Sequence, residues 1–373
     1  MAPSINFDPN GPGFPSPRPL TATPTERPYV TPDADLDVAR LTASPPVPAP
    51  AAAEAIRACF GLSGELTRLP GEADDNFLLA TGDQRYVVKV AHLRADSAVV
   101  DVQVRVLRHI EAAAPGLPVP RVLPATSGAS WTMVADGPLA GRVVHVLSYL
   151  DGRLLRSVTT DAPLRRALGG TLAELGLALR GFDDPLVHRP LLWDLAQLPR
   201  LRPLLAERPL GPLIEEQLGR LTAEVPPRLA AQRSQLVHND FSPDNTLLSA
   251  DDSRVCGIID FGDVTVTALV NDVAIAVANL LTGDADPFGP ALDFIAGYHA
   301  VTPLTAAELN LLPDLILGRV VARIIISEWR AERFPENRAY VLRNTPRAWE
   351  HLHRLLSIPG EQTAARIQEA TRA

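Results

Sequence analysis

LVHNDFSPDNTLL (residues 236–248), followed after a short polar turn by VCGIIDFGD (residues 255–263), is the stretch whose reading decides the fold. It presents His238-x-Asp240, then Asn245 five residues after Asp240, then Asp260-Phe261-Gly262 at the end of an apolar run. Phosphoryl transfer to a hydroxyl needs such a set. One carboxylate orients the attacking hydroxyl, while an amide oxygen and a second carboxylate hold the magnesium that neutralises the nucleotide phosphates. Leu247-Leu248 and Ile258-Ile259 are expected to pair as neighbouring strands closed by Asp251-Asp252-Ser253, which brings the three groups together. Asp-Phe-Gly alone reads equally well as a turn after a buried strand. With His-x-Asp and an asparagine at this offset it points to a kinase-like catalytic loop, with Asp240 as base and Asn245 and Asp260 as metal ligands.

The chain has a single lysine among its 35 basic residues, Lys89 in QRYVVKV, about 150 residues before the catalytic loop. It lies on an alternating strand, where a kinase-type fold places the ammonium that grips the α and β phosphates. An ammonium is a compact point charge; a guanidinium is bulkier and forked. The helix after this strand carries Gln103 on its inward face, a hydrogen-bond acceptor for Lys89, with Glu111 as the nearest acidic alternative two turns later. The turn Pro70 to Phe77 has one glycine and no glycine-rich repeat, yet offers backbone N–H groups and the Asn76 amide to a phosphate.

Around these landmarks the organisation is legible. Residues 1–50 hold 13 of the 36 prolines and show no periodic apolar pattern, so they read as a disordered tail. AAAEAIRACFGL near Ala51 predicts a helix. ELTRL, NFLLAT and RYVVKVA predict three strands, the last two joined at Gly82-Asp83. Asp96 to Ala113 switches to helical period, and strands are expected near Arg121, Trp131 and Val143 to Tyr149. Beyond Tyr149-Leu150-Asp151-Gly152 the chain reads as helical. One helix opens at Pro163 and stops at Gly181, and another starts at the capping box Thr305 to Glu308. Asp272, before an apolar helix, reads as an N-cap.

A net charge of -8 argues against a nucleic-acid footprint and permits a cationic small substrate. No run of 18 apolar residues and no secretory signal are visible, so neither a membrane span nor export is expected. Cys59 and Cys256 are too few and too far apart for a disulfide scaffold or a thiolate zinc site. A reducing cytoplasm is the expected compartment.

VVKV, Gln103 in VQVRVL, LPVPRVL, LLWDL, LVHNDFSPDN and IIDFGD together resemble the aminoglycoside phosphotransferase superfamily, most closely its hydroxylysine kinase-like branch, over about residues 55 to 355. The resemblance implies an α+β, protein-kinase-like two-lobed fold, with a β-rich N-lobe (51–150), a hinge near Ser148 to Asp151 and a mostly helical C-lobe (151–373). It implies Mg2+ and ATP or GTP, the nucleobase being read by backbone groups of the hinge at Ser148 and Leu150. His238 would brace the loop. The acceptor would be a hydroxyl on an amine or amino acid, with 5-hydroxylysine the specific expectation. Homoserine, choline or ethanolamine and an aminoglycoside are the alternatives, and a non-catalytic nucleotide-binding scaffold is an alternative of another class. Phe241-Ser242-Pro243-Asp244 departs from the small or polar residues common in that branch. Candidates to receive a substrate ammonium are Asp244, Asp263 and Glu328; Arg330 has the fork that takes a carboxylate. Trp193, Trp329, Asn337 and Tyr340 are candidate pocket walls.

Overall fold

The computed structural model describes residues 46–71, 74–282, 286–335 and 338–372. The proline-rich segment up to residue 45 and Asn337 lie outside them, as do residues 72–73 of the turn before Asn76. Order is already present at Val47, which is buried and whose N–H donates to Asp75 Oδ1.

Alternating strands build the first half. β1 (Glu65–Leu69), β2 (Asp75–Thr81) and β3 (Gln84–Val90) form an antiparallel meander. It is extended by β6 (Val143–Ser148) beside β3, and by β4 (Val122–Leu123) and β5 (Thr132–Met133) against β6. The β2–β3 turn uses Gly82 at φ 61°, a left-handed conformation that costs glycine little. Helix α1 (Ala49–Phe60) covers one face, where Ile56 and Phe60 pack with Phe77, Leu79, Val88, Val90, Val144 and Val146. Helix α2 (Ser97–Ala113), capped by the Asp96 carboxylate accepting from Ala98 N–H at 2.9 Å, lies on the other. There Val100 meets Ala91 and Val143, while Val102 and Val106 join Val87 and Leu147 in the large core.

Successive strand side chains alternate between faces. Burial of Val88 and Val90 under α1 therefore turns Val87, Lys89 and Ala91 toward α2. Lys89 stands opposite Asn76 on β2 and His145 on β6, so these three form a polar row across three strands on the α2 side.

The second half is helical around two small sheets. In chain order it contains β7 (Arg153–Leu154), α3 (Ala162–Ala178), α4 (Leu201–Glu207), α5 (Pro212–Leu229), β8 (Ser234–Val237), β9 (Thr246–Leu248), β10 (Val255–Ile258) and β11 (Thr265–Ala268). Then follow α6 (Leu269–Leu280), α7 (Gly289–Val301), α8 (Ala306–Arg333), α9 (Arg338–Val341), α10 (Thr345–Ser357) and α11 (Gly360–Ala370). β10, β9 and β7 form one sheet; β11 and β8 form the other. The 28-residue α8 runs through the core, started by the reciprocal Thr305–Glu308 capping box that its sequence predicts. Helices α3 and α7 touch backbone to backbone: a Cβ on Gly297 would fall 2.0 Å from the Arg166 carbonyl oxygen, and only glycine permits that approach. Among the described residues no helix is long and apolar enough to cross a membrane, and both cysteines are free.

Two local expectations are corrected. The β9–β10 hairpin forms, but Ile258 stands opposite Thr246 and Gly257 opposite Leu247, with a register shift between Val255 and Gly257. Ile259 lies beyond the pairing, where its N–H donates to the Asn245 carbonyl. Asp272 does not cap α6: it sits inside the first turn and turns its carboxylate away from its own helix.

Candidate active site

The loop after β8 and the end of β10 are held together by buried polar groups. Asp272 accepts from the N–H of His238 (3.1 Å) and of Asn239 (2.8 Å), and so clamps the loop from behind. Burial pushes its carboxyl up to about 6 against those two donors. His238 is fully buried; its Nδ1 accepts from the Asp240 N–H at 3.3 Å and its Nε2 donates to the Ile259 carbonyl at 3.2 Å, an assignment that fixes the neutral tautomer. Burial drives its pKa down to about 4, and its ring meets Phe261 edge-on at 4.9 Å. His238 thus spans the two halves of the motif as a brace. Asn239, at φ 64°, occupies the left-handed region that asparagine tolerates better than most residues.

Asp240 emerges from this platform with its side chain about a third exposed (32%). Its Oδ2 accepts from Asn245 Nδ2 at 2.6 Å, and the same amide donates to the Asp240 carbonyl at 3.1 Å. Burial pushes the Asp240 carboxyl up to about 8. Arg319, whose Nη2 lies 3.7 Å from Oδ1, pulls it back, and Asp263 and Asp260 push it further up. The three aspartates therefore share one electrostatic neighbourhood. Asp260 sits at φ 63°, exposed, with Oδ1 accepting from the Gly262 N–H at 3.3 Å.

These residues fit a divalent cation. The Asn245 side chain spends its N–H groups on Asp240 and keeps its amide oxygen Oδ1, which has no hydrogen bond among the described residues. Asp260 offers an exposed carboxylate beside it, and the crowding of like charges is what a divalent cation relieves. Among the described residues no three His, Cys, Asp or Glu side chains enclose an ion by themselves. That suits magnesium, which takes one or two protein carboxylates and completes its shell with phosphates and water.

On the sheet side, Lys89 makes no hydrogen bond or ion pair among the described residues, and its charge is felt by buried His145, whose pKa burial and Lys89 lower to about 3. Asn76 donates weakly to the Pro70 carbonyl (3.4 Å), and its buried Oδ1 has no partner among the described residues. Gln103 is buried on α2, in the stripe between Val100 and Val106 that faces the sheet. Its Nε2 reaches within 3.9 Å of where a Cβ on Gly262 would sit, so it adjoins the Asp-Phe-Gly segment; it makes no hydrogen bond to Lys89. At the junction, Ser148 N–H donates to the Arg121 carbonyl and its side-chain Oγ accepts from the Arg121 N–H at 2.9 Å, and Tyr149 N–H donates to the Arg85 carbonyl. The N–H and C=O of Leu150 have no hydrogen bond among the described residues.

The expected substrate residues separate. Asp263 stands within electrostatic reach of Asp240. Asp244 is engaged by Arg156 at 2.8 Å and Arg343 at 3.7 Å. Glu328 lies nine residues beyond Arg319, half a turn around α8, and pairs with Arg208 at 3.6 Å. Arg330 shares the face of Arg319 but lies about 16 Å further along the helix. Trp329 is core, its indole N–H donating to Glu207 at 2.7 Å, and Tyr340 is exposed beneath the Arg343 guanidinium. Trp193 lies under Arg319, 4.8 Å from ring centre to guanidinium carbon, and its carbonyl accepts from Arg319 Nη1 at 2.8 Å.

Sequence reasoning missed Arg319, Arg323 and Asp272. The signal for the arginines was two guanidiniums four residues apart inside the otherwise apolar run LILGRVVARIII, where burial is unavoidable. Arg319 also yields a test. Because it favours the ionised form of Asp240, Arg319→Gln raises the Asp240 pKa. The acid limb of the kcat/KM profile should then move to higher pH while the high-pH plateau survives; an unmoved limb would show that Arg319 does not tune the base.

A braced aspartate, an asparagine locked to it and a carboxylate fit for a cation, joined to the sheet half by Gln103 beside Gly262, are the arrangement expected of a phosphotransferase of the kinase-like fold. The chain belongs to the phosphotransferase enzyme family, whose model matches residues 65–309. It is 25% identical to the hydroxylysine kinase of Mus musculus, over 81% of this chain and 88% of that one. It is 31% identical to the homoserine kinase of Azorhizobium caulinodans, over 66% and 74%. Among solved structures it is similar in fold to an amicoumacin kinase in complex with AMP-PNP and Ca2+ (TM-score 0.63, 17% identity, 87% and 98% covered) and to a microcompartment-associated aminopropanol kinase (TM-score 0.64, 19% identity, 81% and 96% covered). It is a small-molecule kinase with an alcohol group as acceptor.

Proposed function

We propose that the protein transfers the γ-phosphoryl group of ATP or GTP, with Mg2+, to a hydroxyl of an amino acid or amino alcohol, with 5-hydroxylysine as the leading acceptor. The observation that carries this reading is the Asn245–Asp240 lock at 2.6 Å beside Asp260. In it one carboxylate is held for the acceptor hydroxyl while two oxygens remain for the metal. Asp240 orients the hydroxyl and accepts its proton; Asn245 and Asp260 hold the cation, which supplies charge neutralisation to the phosphates. Lys89 grips the α and β phosphates, with Asn76 and Gln103 flanking it. The unpaired backbone groups of Leu150, steadied by Ser148, read the base. With an N-lobe to residue 150 and a C-lobe beyond, the nucleotide would lie between the two lobes. The two relatives named for amino-acid acceptors favour an amino acid over an aminoglycoside.

A diphosphate-release screen of hydroxy-amino acids, amino alcohols and aminoglycosides, run with each nucleotide, tests the assignment. Turnover is expected with 5-hydroxylysine or a close hydroxy-amino acid, and turnover restricted to aminoglycosides would overturn it. Lys89→Arg tests the nucleotide side. Charge is kept but the point donor becomes a fork, so kcat/KM for nucleotide should fall about 10–100-fold with the melting temperature unchanged.

A further inference from the structure

Several buried or half-buried arginines in this protein pair with a carboxylate: Arg165 with Asp293, Arg220 with Asp314, Arg233 with Glu308 and Arg142 with Asp75. Arg323 does not. It is half-buried on α8, one turn beyond Arg319, and its one hydrogen bond among the described residues is from Nη2 to Asn279 Oδ1 at 2.6 Å. A guanidinium offers five donors, so most of its capacity is unspent. Its electrostatic neighbours are Arg319 and Arg347, both cations, and Asp240. Arg347, on α10, donates to the Leu281 carbonyl at 2.8 Å, contacts His351 Nε2 at 3.4 Å, and likewise has no carboxylate among the described residues. His351 between them adds no counter-charge, since burial and the flanking Arg347 and Arg323 lower its pKa to about 4. Burial and the neighbouring cations pull even Arg323 down to about 10. A half-buried charge without a carboxylate is costly, and Arg323, with the exposed Arg347 guanidinium beside it, calls for an anion that the described residues do not supply.

We propose that Arg323, with Arg347, forms the subsite for the carboxylate of the acceptor, one helical turn along α8 from the Arg319–Asp240 pair that receives its hydroxyl. The inference rests on the amino-acid reading above and deepens it. It assigns the carboxylate to the guanidinium one turn from the base rather than to Arg330. A turn of helix advances about 5.4 Å, which suits a substrate whose hydroxyl and carboxylate are a few carbons apart. The donors are those of a fork that pairs bidentately with a carboxylate. An acceptor lacking the carboxylate leaves the half-buried Arg323 unrelieved, so the site selects hydroxy-amino acids against amino alcohols of the same length.

Calorimetric binding in the turnover-deficient Asp240→Asn background separates this claim from the assigned reaction. 5-Hydroxylysine is expected to bind about 30-fold or more tightly than its carboxamide, and that preference should vanish in Asp240→Asn/Arg323→Gln and shrink in Asp240→Asn/Arg347→Gln, where the altered residue is exposed and folding is not at stake. Nucleotide-induced thermal stabilisation, expected to be unchanged, confirms folding of each variant. Inorganic phosphate as competitor distinguishes a general anion site: if phosphate displaces 5-hydroxylysine at equal concentration, the carboxylate assignment fails. Equal binding of acid and carboxamide, or equal loss of both in the Arg323 variant, also overturns it. Carboxylate-selective binding without turnover by the wild-type enzyme would sink the proposed reaction and leave the subsite standing; turnover without selectivity would do the reverse.

Discussion

Asp240→Asn is expected to lower kcat by about 10³–10⁴-fold while leaving nucleotide affinity within a factor of about three. The substitution preserves shape, and an amide oxygen can still accept from Asn245, so the loop braced by His238 and Asp272 keeps its form. What is lost is the group proposed to orient and deprotonate the hydroxyl. Stability should move the other way. The folded-state pKa of about 8 lies well above the ordinary value of 3.8, so the folded protein gives up stability as pH rises through that window. In metal-free buffer Asp240→Asn should therefore melt higher than wild type at pH 8, with the gain fading toward pH 4. Calorimetric melting across that range, beside single-turnover kinetics, checks both halves. A variant that is both active and unaltered in melting would remove Asp240 from the chemistry.

Asp260→Asn should cost about 10³-fold in kcat/KM and shift the magnesium dependence to much higher concentration. Asparagine is the informative choice because residue 260 sits at φ 63°, a conformation asparagine shares with aspartate, whereas alanine adds backbone strain. The variant keeps an oxygen toward the cation and loses the charge, and removing one of two acidic neighbours also eases the Asp240 carboxyl downward. A magnesium titration of nucleotide binding reads the effect. Unchanged metal dependence would place the ion elsewhere.

Local chemistry was legible in the sequence wherever one segment determines its own shape. The strand meander, the capping box of Thr305 and Glu308, the α2 helix and the paired catalytic segments all follow from periodicity and end signals. The substrate side was less legible because it depends on which faces meet. Glu328 and Arg330 stood out as polar residues near Trp329, but helical geometry turns Glu328 to Arg208 and carries Arg330 away from the base. Asp244 looked available until Arg156 and Arg343 were seen to engage it. Asp272 shows the same limit. Its place at the start of a helix suggested a cap, yet its carboxylate satisfies two backbone donors on a loop more than thirty residues away in sequence, a contact that exists only once β8 and α6 are packed.

In the proposed reaction Lys89 from the sheet and the Asp240, Asn245 and Asp260 oxygens from the catalytic segments meet on one metal-bound triphosphate. A crystal structure with Mg2+ and a non-hydrolysable nucleotide tests it directly. Lys89 Nζ is expected on the α and β phosphates, Asn245 and Asp260 on the cation, and Asp240 facing the γ-phosphate. A nucleotide bound without contact to Lys89, or a cation held by other side chains, would contradict it.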